Sequence, residues 1–253
     1  MITPAADTIL PTTFTWRLGG DPGPSLLKAF PLGDAVRNAV MRAGNAVGLA
    51  RLPEAFHGGP GRREHRHAYW LSEDRDGDGL IDHVTVHATS GLPRLLVAAL
   101  AGAGSVWLDR TATWELIPQT LGRPEAGGLL GPARIWRPAT AYVTPRHRMT
   151  DGGRERAGED AESQLRREMA ERRMPIPVWI QWQDRIHLMR VGLAPTDFVS
   201  VAGRQTAPAQ ALKRAPVMLF ANPVTGPLSF GFGSHFGLGL MRPDPQSCAC
   251  LQD

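Results

Sequence analysis

The sequence predicts an α+β fold in two tandem units, and three observations predict it. The 253 residues suffice for one large domain or two small ones, each with a core of its own. Short segments of strand character alternate with single helical patterns instead of gathering into one class. A Gly/Pro-rich stretch at 122–138 separates two runs of such segments.

The first run reads as βαββαβ. Residues 14–18 (FTWRL) form a short strand, closed by GGDPGP. A helix follows over 32–46, with Pro31 suited to a first turn and Val36, Ala39, Val40 and Ala43 at helical spacing. After the polar loop RLPEAFHGGPGRREHR, residues 67–71 (HAYWL) read as a strand and EDRDGDG as a turn. Residues 82–88 alternate, with Val84, Val86 and Ala88 on one face and His83, Thr85 and His87 on the other. Residues 93–103 form a small apolar helix, and 106–108 and 114–117 supply the closing strand material. This is the ferredoxin-like order, whose helices cover one sheet face and whose other face is a common RNA platform.

The second run is weaker. Residues 140–144 (TAYVT) read as a strand and 161–172 as a helix with Leu165 and Met169 at i, i+4. Residues 177–182 and 186–191 read as a strand pair turning at Asp184-Arg185, and 217–220 as another strand; no second helix is evident. The expected division is therefore two ferredoxin-like domains, 1–121 and 139–253, joined by a linker at 122–138.

Composition is globular, 42% hydrophobic and 21% charged. No apolar run reaches the roughly 20 residues of a membrane span, and the first residues lack the pattern of a secretory signal. Cys248 and Cys250 alone neither staple a fold nor close a zinc site, which fits a cytoplasmic setting. The net charge is +4, and only Lys28 and Lys213 among the 28 basic residues are lysine. Arginine forks suit phosphate and stack on bases, so this balance fits a nucleic-acid partner; a GC-rich gene accounts for it equally.

The most specific feature is GPLSFGFGSHFGLGLMRP, residues 226–243, with Gly226, Gly231, Gly233, Gly237 and Gly239 within fourteen positions. Such spacing allows close backbone approach, and free N–H groups in such a loop form concave anion sites. A glycine-dense hairpin within a sheet is the purely structural alternative. The pattern is neither a P-loop nor a dinucleotide fingerprint.

GFGSHFGLGLMRP resembles the C-terminal glycine-rich loop of the CRISPR repeat-processing endoribonucleases of the RAMP superfamily, and LFANPVTGPLSF resembles the strand leading into it. REHRHAYWLSEDRDGDGLIDHVTVHATSGL and FPLGDAVRNAVM resemble segments of the fused processing subunit of the type I-U (I-G) CRISPR system. The chain is too short for both modules of that subunit, so the likeness is to the repeat-cleaving module alone. The resemblance implies binding and metal-independent cutting of CRISPR repeat RNA to make mature crRNA, with no cofactor and no membrane. The 2′-hydroxyl attacks the scissile phosphate, leaving 2′,3′-cyclic phosphate and 5′-hydroxyl ends. It also implies partnership with other subunits of a surveillance complex that retains the product.

That chemistry needs a base, an acid and cationic support for a dianionic transition state. Members of the family often carry a histidine on the first helix or in the loop after it, where this chain holds His57, His65 and His67. In Glu64-His65-Arg66-His67 an extended backbone puts both imidazoles on one side, so His65 is expected as base, His67 as its partner and His57 in reserve. Arg62, Arg63 and Arg66 are expected on phosphate, and Gly231, Gly233, His235, Gly237 and Gly239 against RNA. Of the neighbours Tyr69 and Trp70, Trp70 suits the core and Tyr69 suits a stacked base.

Asp74, Asp76, Asp78 and Asp82 match several positions of an EF-hand loop, but position 12 is Thr85 and the flanks read as strands. A β-turn is the expected role, with a structural cation as the weaker alternative. The rival function is a non-catalytic RNA-binding or assembly subunit of a CRISPR effector complex.

Overall fold

The computed structural model describes residues 10–49, 53, 56, 67–108, 112–122, 128–150, 153–154, 156–203 and 205–244. His57, His65, Arg62, Arg63 and Arg66 lie outside them. No helix among the described residues is long and apolar enough to cross a membrane.

The first unit begins with β1 (Thr13–Gly19), followed by helix α1 (Ala29–Ala46). Ser25 caps the 3₁₀ turn that leads into α1 by accepting the Leu27 N–H at 3.3 Å. Phe30, Leu32, Val36, Ala39 and Val40 form the buried stripe of α1. Next come β2 (Tyr69–Glu73), β3 (His83–His87), helix α2 (Arg94–Ala101), the short β4 (Ser105–Trp107) and the long β5 (Thr113–Gly122). The sheet order is β2-β3-β1-β5-β4, every pair antiparallel. Without the added edge strand β4, this is the ferredoxin-like order. Trp16 anchors the helical side: it is fully buried, and its indole N–H donates to the Leu100 carbonyl of α2 at 3.1 Å. Trp70 is 1% exposed, as expected of a core residue.

The second unit comprises β6 (Ala133–Pro138), β7 (Tyr142–Val143), helix α3 (Ala161–Glu171), β8 (Trp179–Gln183), two small hairpins, β9 (Ile186–His187) with β10 (Gly192–Leu193) and β11 (Val201–Ala202) with β12 (Gln205–Thr206), then β13 (Lys213–Val224) and β14 (Met241–Pro243). The long β13 pairs with β6 and β7, and with β8; β6 also pairs with β14. The order β14-β6-β13-β8 repeats that of the first unit. A glycine-rich loop with a 3₁₀ turn (Ser234–Phe236) stands where the second helix would be.

Two expectations are corrected. Gly/Pro content predicts a linker over 122–138, yet residues 133–138 form β6, held by β13 and β14. Residues 177–182 and 186–191 do not pair with one another. β8 pairs with β13, thirty residues further on, and Ile186–His187 turns back on Gly192–Leu193. Local alternation marks a strand without naming its partner.

The Asp-rich segment forms the β2–β3 turn. Asp74 accepts the N–H groups of Gly77 (2.6 Å), Asp78 (3.2 Å) and Gly79 (2.8 Å). Asp82 faces His83 Nδ1 at 2.6 Å and the Arg75 N–H at 3.0 Å. Asp76 pairs with Arg190 at 3.1 Å, and the Arg190 N–H donates to the Gly77 carbonyl at 2.8 Å. The turn is thereby pinned to the second unit. Carboxylate oxygens of Asp74, Asp76 and Asp78 lie within 4.8 Å of one another, but their hydrogen bonds and ion pair are those of a stapled turn.

The helix-free face of the first sheet is partly covered by the second unit. Thr13, Thr15, Glu73, Thr85 and His87 line one wall of a cleft of about 880 Å³, and Leu129, Leu130, Leu240 and Arg242 of the second unit line the other. Thr15 donates to Thr85 at 2.9 Å, Thr85 donates to Glu73, and Arg75 pairs with Glu73 at 3.0 Å. His87 is 6% exposed, and its Nδ1 has no hydrogen-bond partner among the described residues. Burial pushes its pKa down to about 4.

A depressed histidine pKa stabilises the fold above the unfolded value near 6.5, and that stability is lost as pH falls toward 4. The loss expected from His87 is about 3 kcal/mol. Urea midpoints at pH 7 and pH 4.5 should differ more for the wild type than for His87→Gln. Equal differences would show that this imidazole does not titrate with folding.

Candidate functional site

The C-terminal loop builds the site by packing to both sides. Leu228, Phe230 and Met241 enter the core of the second unit with Trp136, Leu165 and Phe220. Leu238 enters the larger core cluster, built mainly from the first unit, and Phe232 and Phe236 pack against it. Phe232 and Phe236 meet Phe30 of α1 at ring distances of 5.3 and 5.9 Å. Buried Thr140 ties the loop to the break between β6 and β7, donating to the Gly237 carbonyl at 2.7 Å and accepting the Leu240 N–H at 2.9 Å.

The glycines serve this packing. A Cβ on Gly239 would lie 1.8 Å from the Phe230 carbonyl oxygen, and one on Gly231 would lie 2.4 Å from that of Val143; both residues have positive φ. The free N–H groups expected for an anion cradle are largely engaged inside the protein. Phe232 donates to Val143 (2.8 Å), Phe236 to Gly233 (2.8 Å), Leu238 to Gly233 (3.2 Å) and Gly239 to Ala141 (2.7 Å). The Gly231 N–H donates to Glu168 at 2.8 Å.

What the loop delivers is a side chain. His235 stacks on Tyr69 of β2, with ring centroids 4.5 Å apart and planes at 25°. His67, just before β2, meets the same imidazole edge-on at 5.6 Å. Residues 168 positions apart in sequence thus form one imidazole–imidazole–phenol cluster at the seam between the units. His67 Nδ1 has no hydrogen-bond partner among the described residues. Of the sequence-predicted residues, His67 and His235 come together. Gly231 and Gly233 line the adjacent cavity; Gly237 lies behind it against β2, and Gly239 against Phe230.

That cavity, of about 430 Å³, is walled by the loop, by α3 and by the segment after β7. Its polar lining includes Arg146, Glu168, Glu171, Arg172, Ser234 and His235. Arg172 donates to the Ser229 carbonyl (2.7 Å), the Tyr69 hydroxyl (3.3 Å), Ser234 Oγ (3.4 Å) and Glu168. Arg146 pairs with Glu171 at 3.1 Å, half-exposed at the rim. Burial pushes the Glu168 carboxyl up, against the pull of Arg172 and the Gly231 N–H. Burial likewise raises the Tyr69 phenol, opposed by Arg172. Sequence reasoning missed Arg172, Glu168 and Arg146. The i, i+4 spacing of Glu168 and Arg172 was visible, but nothing in it points to the loop sixty residues on.

No protein-family profile matches the sequence, and no curated protein matches it. Similar solved structures are RAMP and Cas6 CRISPR proteins. A CRISPR-associated protein Cas6 aligns over 91% of this chain and 98% of its own, with TM-score 0.48 and 10% identity. A Cas6-related protein of Pyrococcus furiosus aligns over 93% and 99%, with TM-score 0.45 and 8% identity. A RAMP protein described as binding different RNA substrates aligns over 91% and 98%, with TM-score 0.44 and 11% identity.

If Gly231 is held by packing, Gly231→Ala costs about 2–4 kcal/mol in the absence of any nucleic acid. Thermal unfolding of the free protein checks this. An unchanged midpoint would return the glycine to a ligand-contact role.

Proposed function

We propose that this protein is a metal-independent endoribonuclease that cleaves CRISPR repeat RNA, with His67 and His235 as its acid–base pair. The observation that carries the reading is the convergence of these imidazoles, from opposite ends of the chain, beside an arginine-lined cavity. Histidine exchanges protons near neutral pH, and RNA scission by its own 2′-hydroxyl requires one group to take a proton and another to give one. One imidazole removes the 2′-hydroxyl proton as that oxygen attacks phosphorus. The other protonates the departing 5′-oxygen, so the ends are a 2′,3′-cyclic phosphate and a 5′-hydroxyl. Arg146, half-exposed at the rim, offsets the charge that builds on the phosphate. Each step uses a side chain of this protein, so the mechanism requires no ion.

The substrate comes from the resemblance of residues 231–243 to the glycine-rich loop of CRISPR repeat-processing enzymes. On this reading the enzyme works in the cytoplasm and hands its product to other subunits of a surveillance complex. His65 stays in the proposal as the rival base, two residues ahead of His67.

The test is single-turnover cleavage of the protein's own repeat RNA in EDTA. His67→Ala and His235→Ala should each slow cutting by about 10²-fold or more, and a 2′-deoxy sugar at the cut should abolish it. His65→Ala reports separately on the rival base. Loss of cutting on chelation, or wild-type rates in both variants, would overturn the mechanism. A wild-type protein that binds the repeat without cutting it would instead be an assembly subunit.

A further inference from the structure

We propose that the buried Glu168–Arg172 pair is the positioning element of this site: it clamps the glycine-rich loop to Tyr69 and thereby holds His235 in register with His67. This deepens the function proposed above and rests on it. Glu168 lies in α3 of the second unit and Arg172 is the C-cap of that helix; both are nearly enclosed, Arg172 at 7% and Glu168 at 11% exposure.

The geometry divides the work between them. Glu168 holds the loop at Gly231 through that residue's N–H, 2.8 Å away, and accepts from Arg172 with its other oxygen. Arg172 grips the two limbs of the loop, at the Ser229 carbonyl and the Ser234 hydroxyl. Its guanidinium also lies 5.5 Å from the centre of the Phe230 ring. With the same nitrogen that reaches Ser229, it crosses to the first unit and donates to the Tyr69 hydroxyl. Tyr69 is the platform on which His235 stacks, and His235 directly follows Ser234. One planar fork therefore joins α3, both limbs of the loop and β2. A lysine, with its single nitrogen, cannot span acceptors so placed. Among the described residues, the charged and titratable groups around His235 are His67 and Tyr69 of the first unit, Glu168 and Glu171 of α3, Arg172 at its C-cap, and Arg146 at the rim. Arg37 of α1 completes the set, its guanidinium 5.6 Å from the Phe236 ring centre.

The test uses Arg172→Lys and Glu168→Gln, read in two ways. In the free protein with ¹³Cε1-labelled histidine, the His235 resonance carries the ring-current shift of the Tyr69 stack, and His235→Gln assigns it. Both variants should lose that shift while keeping a cooperative melt and repeat-RNA binding. With repeat RNA, single-turnover cutting should fall by about 10²-fold at saturating protein, and the pH–rate profile should change shape. Should Arg172→Lys fail to fold, Glu168→Gln carries the same comparison. A retained shift with a wild-type rate overturns the proposal. So does a lost shift with a wild-type rate, and so does a retained shift with a reduced rate, which would make Arg172 a direct RNA contact. The resonance needs no RNA, so a protein that cuts nothing would defeat the proposed function and leave the clamp to be judged on the shift.

Discussion

Everything at the seam of this molecule depends on how the C-terminal loop is wedged between two sheets. Its apolar side chains divide between two cores: Leu228, Phe230 and Met241 to one side, Leu238 with Phe232 and Phe236 to the other. A segment that belongs to two cores cannot shift toward either without opening a void in the other, and dense interiors resist such voids. The backbone contacts at Gly231 and Gly239 leave no room for a Cβ. The loop is thus a rigid bracket that carries His235 on its 3₁₀ turn.

That rigidity changes what glycine density means here. Five glycines in fourteen residues suggest a mobile, anion-seeking loop, but most of the N–H groups around them are engaged within the protein. A backbone hydrogen bond made internally is not offered to a phosphate. What the seam presents is side chains: two imidazoles, a phenol and arginines that hold or face the cavity. The buried ion pair beneath the loop fits the same logic. A desolvated Glu168 is tolerable only because Arg172 and the Gly231 N–H meet it, so the pair and the loop conformation support each other.

The first unit was the more legible. Its strands carry alternation and its first helix a clear apolar stripe, so element order gave the topology. In the second unit the same order is disguised. The second helix is replaced by the loop, β6 hides behind a Gly/Pro stretch, and β8 finds its partner in β13 after two small hairpins. The missed pairing of β8 has one cause: pairing across a long separation leaves no local periodicity. The histidines divide in the same way. His67 stood out through its neighbour His65, a spacing of two. The partner the structure supplies for it, His235, is 168 positions away and was legible only as a loop residue.

The amino-acid sequence by itself determined the α+β class, the ferredoxin-like order of the first unit, the turn at Asp74–Asp82, the core position of Trp70 and the singularity of residues 226–243. All of these rest on spacings of a few residues, where side-chain period and glycine content speak directly. Only the tertiary structure decided that the glycines pack, that Glu168 and Arg172 hold the loop, and that His67 faces His235. Those facts arise where the two units meet, and the shape of such a seam is set by volumes and distances that no short stretch of chain contains.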